Sequence, residues 1–277
     1  MTLLALAVSG RGVVDPGEPV IHADDEAFQR GRAAFETTRV YGGRPFRLEV
    51  HLDRLDDSAR RLGIPRPDRA ELMRLAAAAL EQADRPEAIL RVYCTPGREG
   101  EAKPLALAAV ATLPAGLEDL RARGLRLVTG ALGSERPGLL AGVKSTSYAF
   151  NMAAADEARR AGGDDALFLA RRQVVLEGPT SNIWWRRERT LFTPSLELGV
   201  LAGVTRGVLL QEAQALGYDV REGAFALDEL SGAEEAFTSS SIREVMPVVA
   251  VDGAAVGRPG SATRKLQESL RAAARGT

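Results

Sequence analysis

Apolar runs of strand length recur along the whole chain, each closed by a glycine, proline or charged turn, and helical spacing appears only between them. AFETTRVY (34–41) turns at Gly42-Gly43 into RPFRL (44–48), which reads as a hairpin. EAILRVYC and PLALAAVATL are separated by TPGREGEAK, a loop of glycine, proline and charge. LRLVTG, DALFLA, QVVLE, NIWWR, TLFT, EAFTSS and MPVVAVDG carry the strand signal onward. The opening MTLLALAVSG lacks the basic start of a secretory leader and reads as a first strand. Between these runs, HLDRLDDSARRLG puts Leu52, Leu55, Ala59 and Leu62 on one helix face, and ELMRLAAAALEQA supplies a second helix. Further helices are expected near 147–161, after GVTR with Leu209, Leu210, Ala213 and Leu216 on one face, and at the C-terminus. Strands with interspersed helices and no internal repeat predict an α+β fold rather than a doubly wound sheet.

A chain of 277 residues fits two domains of ordinary size. LPAGLEDLRARG (113–124) combines proline, glycine and charge without strand periodicity. The expected division is a small N-terminal α/β domain over 1–114, a linker over 115–123 and a larger, strand-rich domain over 124–277. The leucines inside the linker fit a short helix equally well. With 36 basic and 37 acidic residues the formal charge is -1, so nothing points to nucleic acid or an anionic membrane as partner. No apolar run approaches the ~18 residues of a membrane span. A single cysteine, Cys94, excludes an intramolecular disulfide. With only His22 and His51 beside it, no metal site is expected. This cysteine usage fits a reducing cytoplasm.

Four separated segments carry chemistry. In AGVKSTSYAFN, Lys144 follows a glycine turn amid Leu139, Leu140, Val143, Tyr148 and Phe150. A lysine amine attacks an aldehyde only when neutral, and burial or a nearby cation lowers its pKa from ~10.4. In VVLEGPTSNIWW, Glu177 ends an apolar run, where a carboxylate needs a cationic or hydrogen-bonding partner. In LAGVTRGVLLQEAQALG, a glycine and Thr205 precede an amphipathic helix whose first N–H groups suit a phosphate. In FTSSSIREVMPV, Thr238 to Ser241 place four hydroxyls after an apolar strand, another possible phosphate holder. Taken singly, each has an ordinary reading: a surface lysine, a turn acid, a plain helix cap, a serine-rich turn.

Taken together, in this order and at these separations, the segments resemble the fold-type IV (class IV) pyridoxal-phosphate enzymes: branched-chain aminotransferases, D-amino acid aminotransferases and 4-amino-4-deoxychorismate lyases. The resemblance runs from about His22 to Gly253. RGRAAFETTRVYGGRPFRLEVHLDRL is similar to the family's N-terminal segment with its H-x-x-R-L helix, GVKS to the cofactor-lysine segment, EGPTSN to E-G-x-x-x-N, GVTR to G-[IV]-T-R, and SSSIREVMPV to the last phosphate segment. It implies pyridoxal 5'-phosphate as cofactor, held by Lys144 as a Schiff base. Arg54, Val204, Thr205 and Ser241 would contact the phosphate, Tyr148 the phenolic oxygen and Glu177 the pyridine nitrogen. Lys144 and Glu177 are the catalytic pair so implied.

The implied fold is a two-domain fold-type IV enzyme, and the implied assembly a homodimer. The implied reaction is transfer of an amino group between an amino acid, or amine, and a 2-oxo acid. The alternative is a lyase releasing 4-aminobenzoate and pyruvate. The segment Gly31-Arg32-Ala33-Ala34-Phe35 departs from the family's common G-D-G pattern, and Ala34-Phe35-Glu36-Thr37 from the branched-chain Y-F-E-G. Arg32, Phe35, Arg98 and Arg243 are the substrate-binding candidates, and each arginine also reads as an ion-pair or loop charge. His51 is expected to support packing or a hydrogen bond, and Trp184 and Trp185 to lie in a core or an interface.

Overall fold

The computed structural model describes residues 1–66, 68–98, 100–101, 103–131 and 138–276. Glu99 and Ala102, within the TPGREGEAK loop, lie outside them. The chain divides into two compact units. One holds Met1–Ala115 together with Val143–Tyr148, and the other Gly116–Gly142 and Ala149–Gly276. Residues 143–148 therefore belong to the first unit, although they lie far beyond its main stretch in sequence.

In the first unit, an antiparallel sheet runs in the order Gly12–Val14, Leu3–Val8, Leu105–Ala111, Glu87–Thr95, Ala34–Tyr41, Arg44–Pro45. Strict alternation in Ala34–Tyr41 sends Ala34, Glu36, Thr38 and Val40 inward. Helices Leu48–Arg61 and Arg69–Ala83 cover one face, where Leu52, Leu55, Ala59, Leu72, Leu75 and Ala79 join Ala34, Leu90, Val92 and Cys94 in one core. The hairpin at Gly42-Gly43 forms, but the expected strand 44–48 pairs only at Arg44–Pro45. Arg47 takes a left-handed conformation (φ 52°) as the N-cap of the helix that starts at Leu48, which ends the strand early.

In the second unit, a mixed sheet runs Asp219–Gly223, Thr190–Pro194, Ser181–Arg187, Glu235–Ser240, Glu244–Val251, Leu125–Ala131, Asp165–Leu169. Glu177–Gly178 pairs with Ser181–Arg187, and Ala254–Ala255 with Glu244–Val251. Trp184 and Trp185 point to opposite sides of their strand, and both are fully buried. Trp184 stacks on Phe237 and donates its indole N–H to Ser239 Oγ at 2.9 Å; Trp185 stacks on Phe192 and meets Phe225 edge-on. Of the residues expected as linker, 117–123 form a helix, Leu117–Arg123, with acids in its first turn and arginines in its last. The run QVVLE is not a continuous strand: Arg172 and Gln173 are left-handed, and pairing resumes as a ladder only at Glu177–Gly178. No described helix is long and apolar enough to cross a membrane. No described cluster of His, Cys, Asp and Glu could hold a metal.

Candidate active site

Backbone pairing fixes the lysine segment in the first unit. Phe35 N donates to Lys144 O (3.1 Å), Thr146 N to Ala33 O (2.9 Å), and Ser145 bridges Ala34. The hydroxyls of Thr146 and Ser147 both donate to Gly31 O, at 3.1 and 2.9 Å. Lys144 N donates to Ser58 Oγ on helix Leu48–Arg61. Gly31 is left-handed (φ 65°), and a Cβ there would stand 2.6 Å from Ser147 Oγ and 3.3 Å from Ser147 Cα. The glycine thus permits both the turn and the close approach.

The Lys144 side chain is half-buried against aromatic rings. Its Nζ stands 4.3 Å from the Phe35 ring centre and 5.6 Å from that of Tyr148, and donates to Tyr148 Oη at 3.4 Å. Phe35 packs edge-on to Tyr148 and stacks on Tyr93. The structure thus brings Phe35, Lys144 and Tyr148 together around the amine.

Arg54 lies in the same unit, beside a buried acid that the sequence did not mark as part of the site. Arg54 Nε donates to Glu36 Oε1 and Nη2 to Oε2, both at 2.7 Å, and His51 Nδ1 stands 2.7 Å from Oε2. His51 and Arg54 are three residues apart on one helix, so they share a face. Burial opposes ionisation of Glu36, but the hydrogen bonds and charge of Arg54, joined by His51, outweigh it and hold the carboxyl at about 2. Burial pushes His51 below its ordinary value against the pull of Glu36, and the charges of Arg54 and Lys144 act the same way. The readable signal was a glutamate at an inward position of an alternating strand, which needs a cationic partner.

In the second unit, Glu177 accepts Leu201 N on both carboxylate oxygens at 3.1 Å and Asn182 Nδ2 on Oε2 at 3.2 Å. Asn182 also donates to Leu201 O at 2.9 Å. This amide, the last residue of EGPTSN, ties the acid to the loop that enters helix Val204–Ala215. Gly203 is the N-cap of that helix, and no side chain caps its first turn, where Val204 and Thr205 are buried. A Cβ on Gly203 would fall 2.1 Å from Asn182 Oδ1, which accounts for the glycine. Ser241 sits in the turn between Glu235–Ser240 and Glu244–Val251. The turn is braced by Glu244, a fully buried left-handed residue (φ 58°) that accepts from Gln267, Arg121 and Arg271.

The three substrate-candidate arginines are engaged locally. Arg32 donates to the Leu62 and Gly63 carbonyls after helix Leu48–Arg61 and pairs with Glu26 at 2.8 Å. Arg98 pairs with Asp24 (2.8 Å) and Glu101 (3.0 Å), and Arg243 with Asp165 at 2.6 Å. These contacts match the ion-pair reading of each.

The first unit therefore presents an amine, an aromatic wall and an arginine, and the second a fixed carboxylate and an uncapped helix start. The family model for class IV amino-transferases matches residues 33–251, and the chain belongs to that family. It is 33% identical over 257 residues to the bifunctional aminodeoxychorismate lyase / D-amino acid transaminase of Mycobacterium tuberculosis, covering 87% of this chain and 89% of that one. Among solved structures, the PLP-bound form of a hypothetical aminotransferase from Mycobacterium tuberculosis superposes with a TM-score of 0.92 at 32% identity, covering 98% of this chain and 99% of the other. A form described as alpha-ketoglutarate and PMP bound gives a TM-score of 0.91 at 32% identity and 98% coverage of each chain.

Proposed function

We propose that this chain is a pyridoxal-phosphate-dependent aminotransferase that moves an amino group between an amino acid or amine and a 2-oxo acid. The observation that carries the reading is the Lys144 amine, pinned by backbone pairing to 33–35 and set against Phe35 and Tyr148. The donor set fits the cofactor. An amine suits an aldehyde carbon, a guanidinium and an uncapped helix start suit a phosphate, and a carboxylate suits a ring N–H. When bound, the coenzyme supplies an electron sink that makes the substrate Cα–H acidic.

Lys144 would hold the aldehyde carbon and, once displaced by the incoming amine, carry the Cα proton on its Nζ. Arg54, with the amides of Val204 and Thr205 and with Ser241, would orient the phosphate and keep the reacting carbon from wandering. Tyr148, 3.4 Å from the amine, would donate to the ring oxygen beside it. Glu177, its oxygens fixed by Leu201 N and Asn182, would keep a proton on the ring nitrogen. Phe35 would wall the substrate side chain. Because their guanidiniums serve local carboxylates and carbonyls, Arg32, Arg98 and Arg243 are left out of the substrate site.

A lyase releasing 4-aminobenzoate and pyruvate is the second reading, favoured by the double name of the mycobacterial relative. A cytoplasmic homodimer completes the proposal and is read from sedimentation of the full chain. The deciding experiment is a visible absorbance scan of the purified protein with D- and L-amino acids added in turn. Bleaching of the band by one enantiomer, 2-oxo acid-dependent recovery and loss of the band in Lys144→Ala are expected. An unaltered band and full activity in Lys144→Ala would refute the assignment.

A further inference from the structure

The Glu36 side chain is 2% exposed, yet it is a full carboxylate facing an arginine read here as a phosphate ligand. Electrostatics alone makes this a poor arrangement. A negative charge 2.7 Å from the guanidinium weakens the attraction of Arg54 for any second anion. The geometry supplies what the charge costs. Glu36 takes Nε and Nη2 side-on, which fixes the guanidinium plane and directs Nη1 and the outer Nη2 hydrogen away from the carboxylate. His51 Nδ1, from the same face of the same helix, locks Oε2, so the carboxylate cannot swing while it holds the arginine. All three groups lie within the first unit, on strand Ala34–Tyr41 and helix Leu48–Arg61.

We propose that Glu36 is a positioning residue for phosphate recognition: it sets the plane of Arg54 so that the outer edge of the guanidinium meets the phosphate ester of the cofactor, with His51 as a neutral strut. The proposal rests on the reading of Arg54 as a phosphate ligand. Positioning and charge make opposite forecasts. Glu36→Gln removes a negative charge, which by itself tightens phosphate binding, but it also breaks the bidentate clamp, which loosens it.

The test is equilibrium titration of cofactor-free full-length protein with pyridoxal phosphate and, separately, with pyridoxal, read by visible absorbance and intrinsic fluorescence. The ratio of the two dissociation constants isolates the phosphate contribution. Glu36→Gln should lower the phosphate advantage by about tenfold or more and leave pyridoxal affinity unchanged. Glu36→Asp, which keeps the charge but shortens the arm, should lower it in the same direction. A merely structural role would weaken both ligands together and leave the ratio intact.

Arg54→Gln separates the two layers of the argument. If it leaves the ratio unchanged, the phosphate reading of Arg54 fails and the proposal falls with it. If it lowers the ratio while Glu36→Gln leaves it unchanged or raises it, only the positioning role is overturned. Should Glu36→Gln fail to fold, Glu36→Asp and His51→Asn carry the same comparison: a lowered ratio in either supports the clamp, and an unchanged ratio in both overturns it.

Discussion

Replacing Gly31 by alanine tests whether backbone pairing truly places Lys144. Gly31 sits at φ 65°, where a Cβ costs about 1–2 kcal/mol. The new methyl would also stand 2.6 Å from Ser147 Oγ and 3.3 Å from Ser147 Cα. Rotating the serine relieves the first contact but gives up its hydrogen bond to Gly31 O, worth about 1 kcal/mol. The backbone contact remains. The local loss is therefore about 2–3 kcal/mol, borne by the strap that carries the lysine. Amide exchange at Thr146 and Phe35, whose N–H groups bond to Ala33 O and Lys144 O, should quicken by roughly thirtyfold or more, while Leu90 and Val92 in the sheet centre stay protected. The loaded protein should form its visible band more slowly. Ser147→Gly in the Gly31→Ala background should return the steric share and leave the left-handed share. Unchanged exchange at both amides in Gly31→Ala would show that the strap is not what holds the lysine.

Acid should weaken the fold in two stages. His51 stays neutral when folded, so as pH falls below its ordinary value of 6.5 the unfolded chain takes the proton first, and stability drops by up to about 1.4 kcal/mol per pH unit. Glu36, held at about 2 against an ordinary 4.5, gives stability that is complete above 4.5 and lost as pH falls through 2, roughly 3 kcal/mol in all. Urea midpoints from pH 7 to 4 for wild type and His51→Asn check the first stage, and a slope equal in both proteins contradicts it. Glu177→Gln should keep the cofactor bound but slow turnover by about a hundredfold or more, measured as a single-turnover half-reaction. Cys94, whose thiol burial pushes up to about 12, should resist an aromatic disulfide reagent until denaturant is added.

Much of this was legible from residue spacing, and the exceptions have local causes. Leu52, Leu55 and Ala59 became a buried helix face because apolar spacing needs no distant partner to be recognised. RPFRL looked like a strand because its composition is right, but a left-handed Arg47 ended it, and a backbone angle leaves no mark at an arginine. The edge strand Asp219–Gly223 escaped notice because its exposed, charged residues show no alternation; it exists by parallel pairing with Thr190–Pro194. Within the site, Lys144, Glu177 and Thr205 stood in motifs, whereas Glu36 stood in a strand. The clue there was its inward register, weighed with His51 and Arg54 three residues apart on the next helix. The alliance of 143–148 with the first unit rests on main-chain pairing across more than a hundred residues and has no side-chain signature.

That alliance governs how the protein can be made and cut. A ribosome must reach Tyr148 before the first unit has all its pieces, long after Ala115 has emerged. A fragment ended at residue 115 would leave Phe35 N, Ala33 O and Gly31 O without their designated partners, and it would lack the reactive amine altogether. Any scheme that swaps or grafts this unit has to carry two separate stretches of gene.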